Sequence, residues 1–338
     1  MRRLAGQIVV GLNLVAASAL GQLPNPIPYD PAKVAAEQAA AVKALAEALK
    51  DSDVEVRRSA VLSLGQIGGD SEPATAALIE ALKDSDVDVR GPAAVALGRV
   101  GAKAAAGVPK LSELLKDSDQ DVRGAAALAL ARIGKPAAAA AVPALQEATA
   151  GDDKQTQVFA RCALAVLDSK PDAHVTALGA ALVDKKADVR AAAAYALGEL
   201  GPTAKSAVAA LKDALKDDDV NVRRSAALAL AEMGPDGKPA VAGLVAALRE
   251  ADAGVRAAAA MALGSIGSDA AVGPLGDAVK DPEVDVREAA VAALAELGPA
   301  ARPAIGALTQ ALKDENVDVR RAAAVALGQI EQGDDDSE

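Results

Sequence analysis

The chain is 338 residues long, 51% hydrophobic but only 1% aromatic, and it carries a net charge of −11. Tyr29, Phe159 and Tyr195 are its whole aromatic complement, so it lacks stacking platforms for single-stranded nucleic acid, and its charge opposes phosphate backbones and anionic membranes. A lone Cys162 excludes an internal disulfide, and a lone His174 excludes histidine-rich metal centres.

In chain order, Met1-Arg2-Arg3 gives a positive start, residues 8–20 are mostly apolar, and Ala17-Ser18-Ala19 is a small-x-small site of the kind signal peptidase accepts. Residues 1–21 therefore read as a signal peptide, with an uncleaved anchor or a plain helix as alternatives. Export to a prokaryotic periplasm, envelope or exterior is the expectation, and a cytoplasmic location follows if the segment is not a signal. Residues 22–31 form a proline-rich linker, and residues 332–338 an acidic, disordered tail.

Between them, residues 32–331 repeat one pattern nine times. An apolar helix is followed by an acidic turn and then by Val-Arg-x-x-Ala-x-x-Ala-Leu-Gly or a close variant. The arginine slot falls at positions 57, 90, 123, 157, 190, 223, 256, 287 and 320. A helix pair recurring at about 33 residues is an α-solenoid. The expected fold is all-α, a right-handed superhelix of about nine helix pairs with an Ala/Leu/Val core.

Residues 102–134 serve as the model unit. Leu111 and Leu115 mark the buried stripe of the first helix, with equivalents such as Leu45/Leu49 and Leu308/Leu312. Asp119 is the expected N-cap of the second helix and Asp121 lies in its first turn, where the helix dipole favours an anion. Val122, Ala126, Leu130 and Ile133 form the core face, and Gly134 a left-handed stop. In the second repeat, Gly91-Pro92 falls inside the second helix, where proline is expected to kink it.

The turn aspartate, the arginine six residues later and the Ala-x-x-Ala-Leu-Gly run resemble the HEAT-like repeats of the phycobilisome-lyase type, over about 300 residues. In that family aspartate and arginine pair within and between repeats. The resemblance implies a structural ladder of Asp51/Arg57, Asp84/Arg90, Asp117/Arg123, Asp184/Arg190, Asp217/Arg223, Asp281/Arg287 and Asp314/Arg320, with Glu250/Arg256 as a substitute.

Little chemistry is available. Asp84-x-Asp86-x-Asp88 and Asp117-x-Asp119-x-Asp121 copy the start of a calcium loop. The later slots hold Val89, Val122, Val95 and Leu128 where glycine and glutamate belong. Cys162 reads as a small core residue and His174 as a surface residue near a helix start. No catalytic residue, cofactor or metal is expected. Repeat four departs from the rest, with Gly151 for the turn acid, Thr156 for valine, Gln157 for the ladder arginine, and Phe159 and Cys162 added. It is either a degenerate unit or a ligand contact.

At about 100° per residue, the position five after the arginine projects away from the core face. It reads Leu62, Val95, Leu128, Cys162, Tyr195, Leu228, Met261, Ala292 and Val325, apolar every time. If the second helices line the inner curve, this is a partner-binding ridge, flanked by Arg58, Arg99 and Arg132 early in the chain and by Glu199, Glu232, Glu288 and Glu296 later. Partial burial is the competing reading. The expected function is a non-catalytic protein-binding scaffold whose partner is a protein of unnamed identity, with no nucleic acid and no membrane insertion of the solenoid. The alternatives are a lyase-like or chaperone role toward a chromophore protein, implied by the resemblance, and a structural part of a cell envelope.

Overall fold

The computed structural model describes residues 31–332. The expected signal segment, almost all of the proline-rich linker with Tyr29, and the acidic tail beyond residue 332 lie outside the described residues. The described chain forms two compact units that divide between Ile133 and Gly134.

The first unit holds α1 (Pro31–Ala48), α2 (Val54–Ile67), α3 (Thr75–Ala81), α4 (Val87–Val100), α5 (Val108–Leu114) and α6 (Gln120–Ile133). The second begins with α7 (Val142–Thr149), α8 (Lys154–Leu167), α9 (Asp172–Ala181) and α10 (Ala187–Leu200). It continues through α11 (Val208–Ala214), α12 (Val220–Glu232), α13 (Val241–Ala247) and α14 (Ala253–Ile266). It ends with α15 (Val272–Ala278), α16 (Val284–Leu297), α17 (Ile305–Ala311) and α18 (Val317–Gln332). Among the described residues every regular element is helical, and each repeat is one odd and one even helix, so the fold is an α-solenoid.

The even helices start where an aspartate can cap them. Asp53, Asp86, Asp153, Asp219 and Asp252 accept backbone N–H groups of the first turn. Asp119 does so for Asp121 and Val122, at 2.9 and 3.0 Å. These bonds satisfy donors that the helix itself leaves without partners. The model unit's core face is as expected, with Val122, Ala126, Leu130 and Ile133 all buried.

Four features differ from expectation. From α3 onward most first helices are one short α-helix preceded by a 3-10 segment, such as Gly101–Gly107 before α5. The stop glycines have positive φ, but Gly68, Gly101, Gly201 and Gly298 combine it with ψ between −127° and −143°, whereas Gly267 adopts the left-handed helical pair. Gly101, at φ 70° and ψ −143°, occupies a region open essentially to glycine alone, because the chain must turn sharply into the 3-10 segment. The helix α4 runs without a break across Pro92. The first-helix stripe is buried through most of the array, but Leu312 is 39% exposed.

Consecutive even helices within each unit pack on one another. The glycine of the Ala-Leu-Gly run makes this close. A methyl group added to Gly98 would lie 2.9 Å from Ala129 Cα, and one on Gly264 would lie 2.7 Å from Ala293 Cα. Small residues thus set the helix spacing, and the Ala/Leu core fills what remains.

Candidate functional site

Two constellations recur on the even helices, and the first is the ion ladder. On five of the even helices the arginine near the start holds the next repeat's turn aspartate. Arg57 donates from Nε and Nη2 to the two carboxylate oxygens of Asp84, at 2.7 and 3.1 Å. Arg90–Asp117, Arg190–Asp217, Arg256–Asp281 and Arg287–Asp314 repeat this grip. The implied pairing of carboxylate and arginine within one repeat is corrected. There the arginine Nη1 donates to the aspartate's backbone carbonyl, as in Arg57 to Asp51 (2.9 Å), Arg123 to Asp117 (2.7 Å) and Arg320 to Asp314 (2.6 Å). Geometry explains the difference, since each turn aspartate directs one carboxylate oxygen back to the N–H two residues on, as Asp84 does to Asp86 at 2.9 Å.

Asp84, Asp217 and Asp314 have carboxyls held below the usual range, first by the arginine hydrogen bond. For Asp117 and Asp281 burial acts upward, but the bonds from Arg90 and Arg256 and from backbone N–H groups outweigh it. Arg223 meets Glu250 less well. A single contact of 3.5 Å reaches Nη2, and Arg223 Nε is buried without a partner.

Repeat four keeps the ladder by dividing the arginine's two jobs. Gln157 Nε2 donates to the Gly151 carbonyl at 2.5 Å, and Lys154 Nζ takes the carboxylate of Asp184. The ladder charge is therefore displaced by three positions and not deleted. Thr156 is buried and its hydroxyl bonds to the cap residue Asp153, which accounts for the loss of valine. Phe159 is buried with its ring edge-on to Tyr195, centroids 6.4 Å apart. Sequence reasoning missed Lys154, although a lysine beside a missing arginine is a readable sign.

Other singled-out residues are accounted for locally. Asp86 receives two bonds from Arg58, and Asp84 two from Arg57, so the calcium-like acids already have cationic partners. Cys162 is fully buried with its thiol 3.5 Å from the Ala196 carbonyl. His174 is half-buried in the first turn of α9, not at the surface, with Nε2 3.7 Å from Asp168. The structure gives Cys162 and His174 different neighbours.

The second constellation is the apolar slot. Leu62 (49%), Tyr195 (41%) and Val325 (50%) are exposed, as is Ala292, while Val95, Leu128, Leu228 and Met261 are half-buried. Cys162 is the exception, its slot closed. Early in the chain the flanking bases are engaged. Arg58 bonds Asp86 and Glu55, and Arg99 donates to the Gly65 carbonyl at 2.6 Å. Later, Glu199, Glu232 and Glu296 are exposed on the same helices as the slot.

The model of HEAT repeats matches residues 12–90, 75–165, 142–231, 175–250 and 278–337. The chain belongs to the HEAT-repeat family. A PBS lyase HEAT-like repeat matches at residues 255–281, consistent with the repeat type the turn and arginine pattern resembles. Similar solved structures include an engineered protein, at 24% identity and TM-score 0.47, covering 89% of this chain and 92% of the other. Another is the complex of CpcE and CpcF of phycocyanin lyase from Nostoc sp. PCC7120, at 22% identity and TM-score 0.47, covering 92% of this chain and 100% of the other. No curated protein matches the chain. Among the described residues no helix of this HEAT-repeat chain is long and apolar enough to cross a membrane.

Proposed function

We propose that this HEAT-repeat protein is a non-catalytic scaffold that binds a protein partner along the exposed face of its even helices. The observation that carries the reading is the opening of the apolar slot. A side chain needed only for folding would be covered, yet Leu62, Tyr195 and Val325 are 41–50% exposed while core neighbours such as Leu64, Leu197 and Leu230 are fully buried. Repeated exposure of apolar groups at one register is what a protein-binding surface requires. The ion ladder lies at the turns, and every one of its acids has a structural use.

Capture from the native source tests this. Wild-type protein and a variant carrying Leu128→Glu, Leu228→Glu and Met261→Glu serve as paired baits, with mass spectrometry of what each retains. A partner held by the wild type and lost by the variant supports the reading, and equal retention sinks it. The lyase-type repeat at residues 255–281 favours, as a second reading, a role toward a chromophore protein. A phycobiliprotein among the captured partners supports that alternative.

A further inference from the structure

Resting on the scaffold reading, we infer that the even-helix face of the second unit takes a cationic amphipathic helix. The partner's apolar residues lie along Tyr195, Leu228, Met261 and Val325, and its lysines and arginines meet the carboxylates on either side. The pattern of each even helix supplies the argument. At about 100° per residue, the positions seven before and four after the slot fall within about 40° of it, so all three share one stripe.

On α10 this stripe reads Asp188, Tyr195 and Glu199, and on α16 Asp285, Ala292 and Glu296. On α12 it reads Asn221, Leu228 and Glu232, and on α18 Asp318, Val325 and Gln329. On α14 it reads Gly254, Met261 and Ser265, so the ridge runs between two interrupted rows of three exposed acids each, of which Asp318 is engaged by Arg321. The arginines nearby answer to acids already. Arg224 bonds Asp252 at 3.0 Å, and Arg321 bonds Asp318 at 2.9 Å. In the first unit the N-terminal row continues as Glu55, Asp88 and Asp121, but the C-terminal positions of α2, α4 and α6 hold Gln66, Arg99 and Arg132, so a C-terminal row of acids belongs to the second unit alone.

Spacing favours a helix as occupant. Packed helices lie about 8–10 Å apart, and seven residues of α-helix advance about 10.5 Å. One apolar residue per two turns of partner helix then falls near one slot per repeat. Covering α10 to α18 takes roughly 21 to 27 residues. Positive side chains flanking that seam complete the match, because opposite potentials across an interface select and orient the partner.

The test uses the full chain and two synthetic helical peptides with leucine every seventh position, one flanked by lysines and the other by glutamates. The lysine peptide is expected to bind at least tenfold more tightly than the glutamate peptide, and to weaken as salt is raised. A variant with Glu199→Gln, Glu232→Gln and Glu296→Gln should lose tenfold or more of that affinity with its melting temperature kept. A ridge variant with Leu228→Asn and Met261→Gln should weaken both peptides. Equal affinity for the two peptides, no binding of the lysine peptide, or an unchanged affinity in the glutamine variant overturns the inference. If the ridge variant still weakens binding in those cases, the scaffold reading survives without the cationic partner. If native-partner capture is also indifferent to ridge substitutions, the scaffold reading itself fails.

Discussion

Arg90 holds Asp117, twenty-seven residues further on, by two parallel bonds of 3.0 Å, and donates its remaining arm to the carbonyl of Asp84 at 2.8 Å. One guanidinium thus ties the acidic turn before its own helix to the turn after it. The side chains are only 13% and 10% exposed, so removing the arginine strands a carboxylate with little access to water.

Arg90→Ala is expected to destabilise the first unit by about 2–3 kcal/mol. Arg90→Lys should recover only part of this, because an ammonium cannot reproduce the two-pronged fork. Urea unfolding followed by circular dichroism checks both, with Lys83→Ala as an exposed control. A loss for Arg90→Ala no larger than the control's would show that the ladder contributes nothing to stability.

The weak rung offers the converse. Glu250 reaches Arg223 at one point, 3.5 Å away, and leaves Arg223 Nε buried and without a partner. Glu250→Asp shortens the side chain to the length used at Asp217 and Asp281, which allows two bonds to Arg223 and a turn bond to the N–H of residue 252. A stabilisation of about 1 kcal/mol is expected, read as a higher urea midpoint. An unchanged or lowered midpoint would mean that the turn itself, and not acid length, sets the distance.

Sequence periodicity made the helix pairs, core stripes and cap aspartates legible, because each depends on residues close in the chain. The direction of the ladder was not legible. Asp84 lies six residues from Arg90 and twenty-seven from Arg57, and spacing alone favours the nearer partner. Stacking of repeats brings the distant one to the carboxylate, while the near one receives the carbonyl. Likewise, Gln157 in the arginine slot by itself gives no sign that Lys154, three residues earlier, takes over the bond to Asp184. At the candidate surface, register found the apolar slot, but its openness depended on neighbours. Cys162 is covered where Leu62 is not.

The ladder has a pH signature. Folded Asp84, Asp217 and Asp314 bind protons less readily than unfolded aspartates, chiefly through their arginine bonds. Their stabilisation is therefore present in full above the unfolded value of about 3.9 and is lost as pH falls through the lower folded values. Glu288 and Glu296 act oppositely. Partial desolvation of the carboxylate raises both, although Glu296 keeps access to solvent, with Asp318 and Asp285 adding to Glu288, so the cost of charging them is relieved as pH falls through the raised values. Melting temperatures should hold or rise slightly from neutral pH to about 5 and drop below about 4, and Asp217→Asn should shrink that acid drop. A steepest loss above pH 5 would place the controlling groups elsewhere.

The ridge and the core lie two residues apart on the same helices, which gives a sharp contrast. Leu128 and Leu228 are half-buried, whereas Leu130 and Leu230 are fully buried. A carboxylate at Leu130 or Leu230 has neither water nor a cation to accept it, so Leu130→Glu is expected to destabilise by more than about 4 kcal/mol and to unfold the repeats around it. A carboxylate at Leu228 can swing outward along the exposed stripe, so Leu228→Glu should cost about 1 kcal/mol or less. Thermal melts of the two single variants decide the point before any partner is known. If Leu228→Glu melts as early as Leu130→Glu, the slot is core in solution, and the binding face argued from it has no basis.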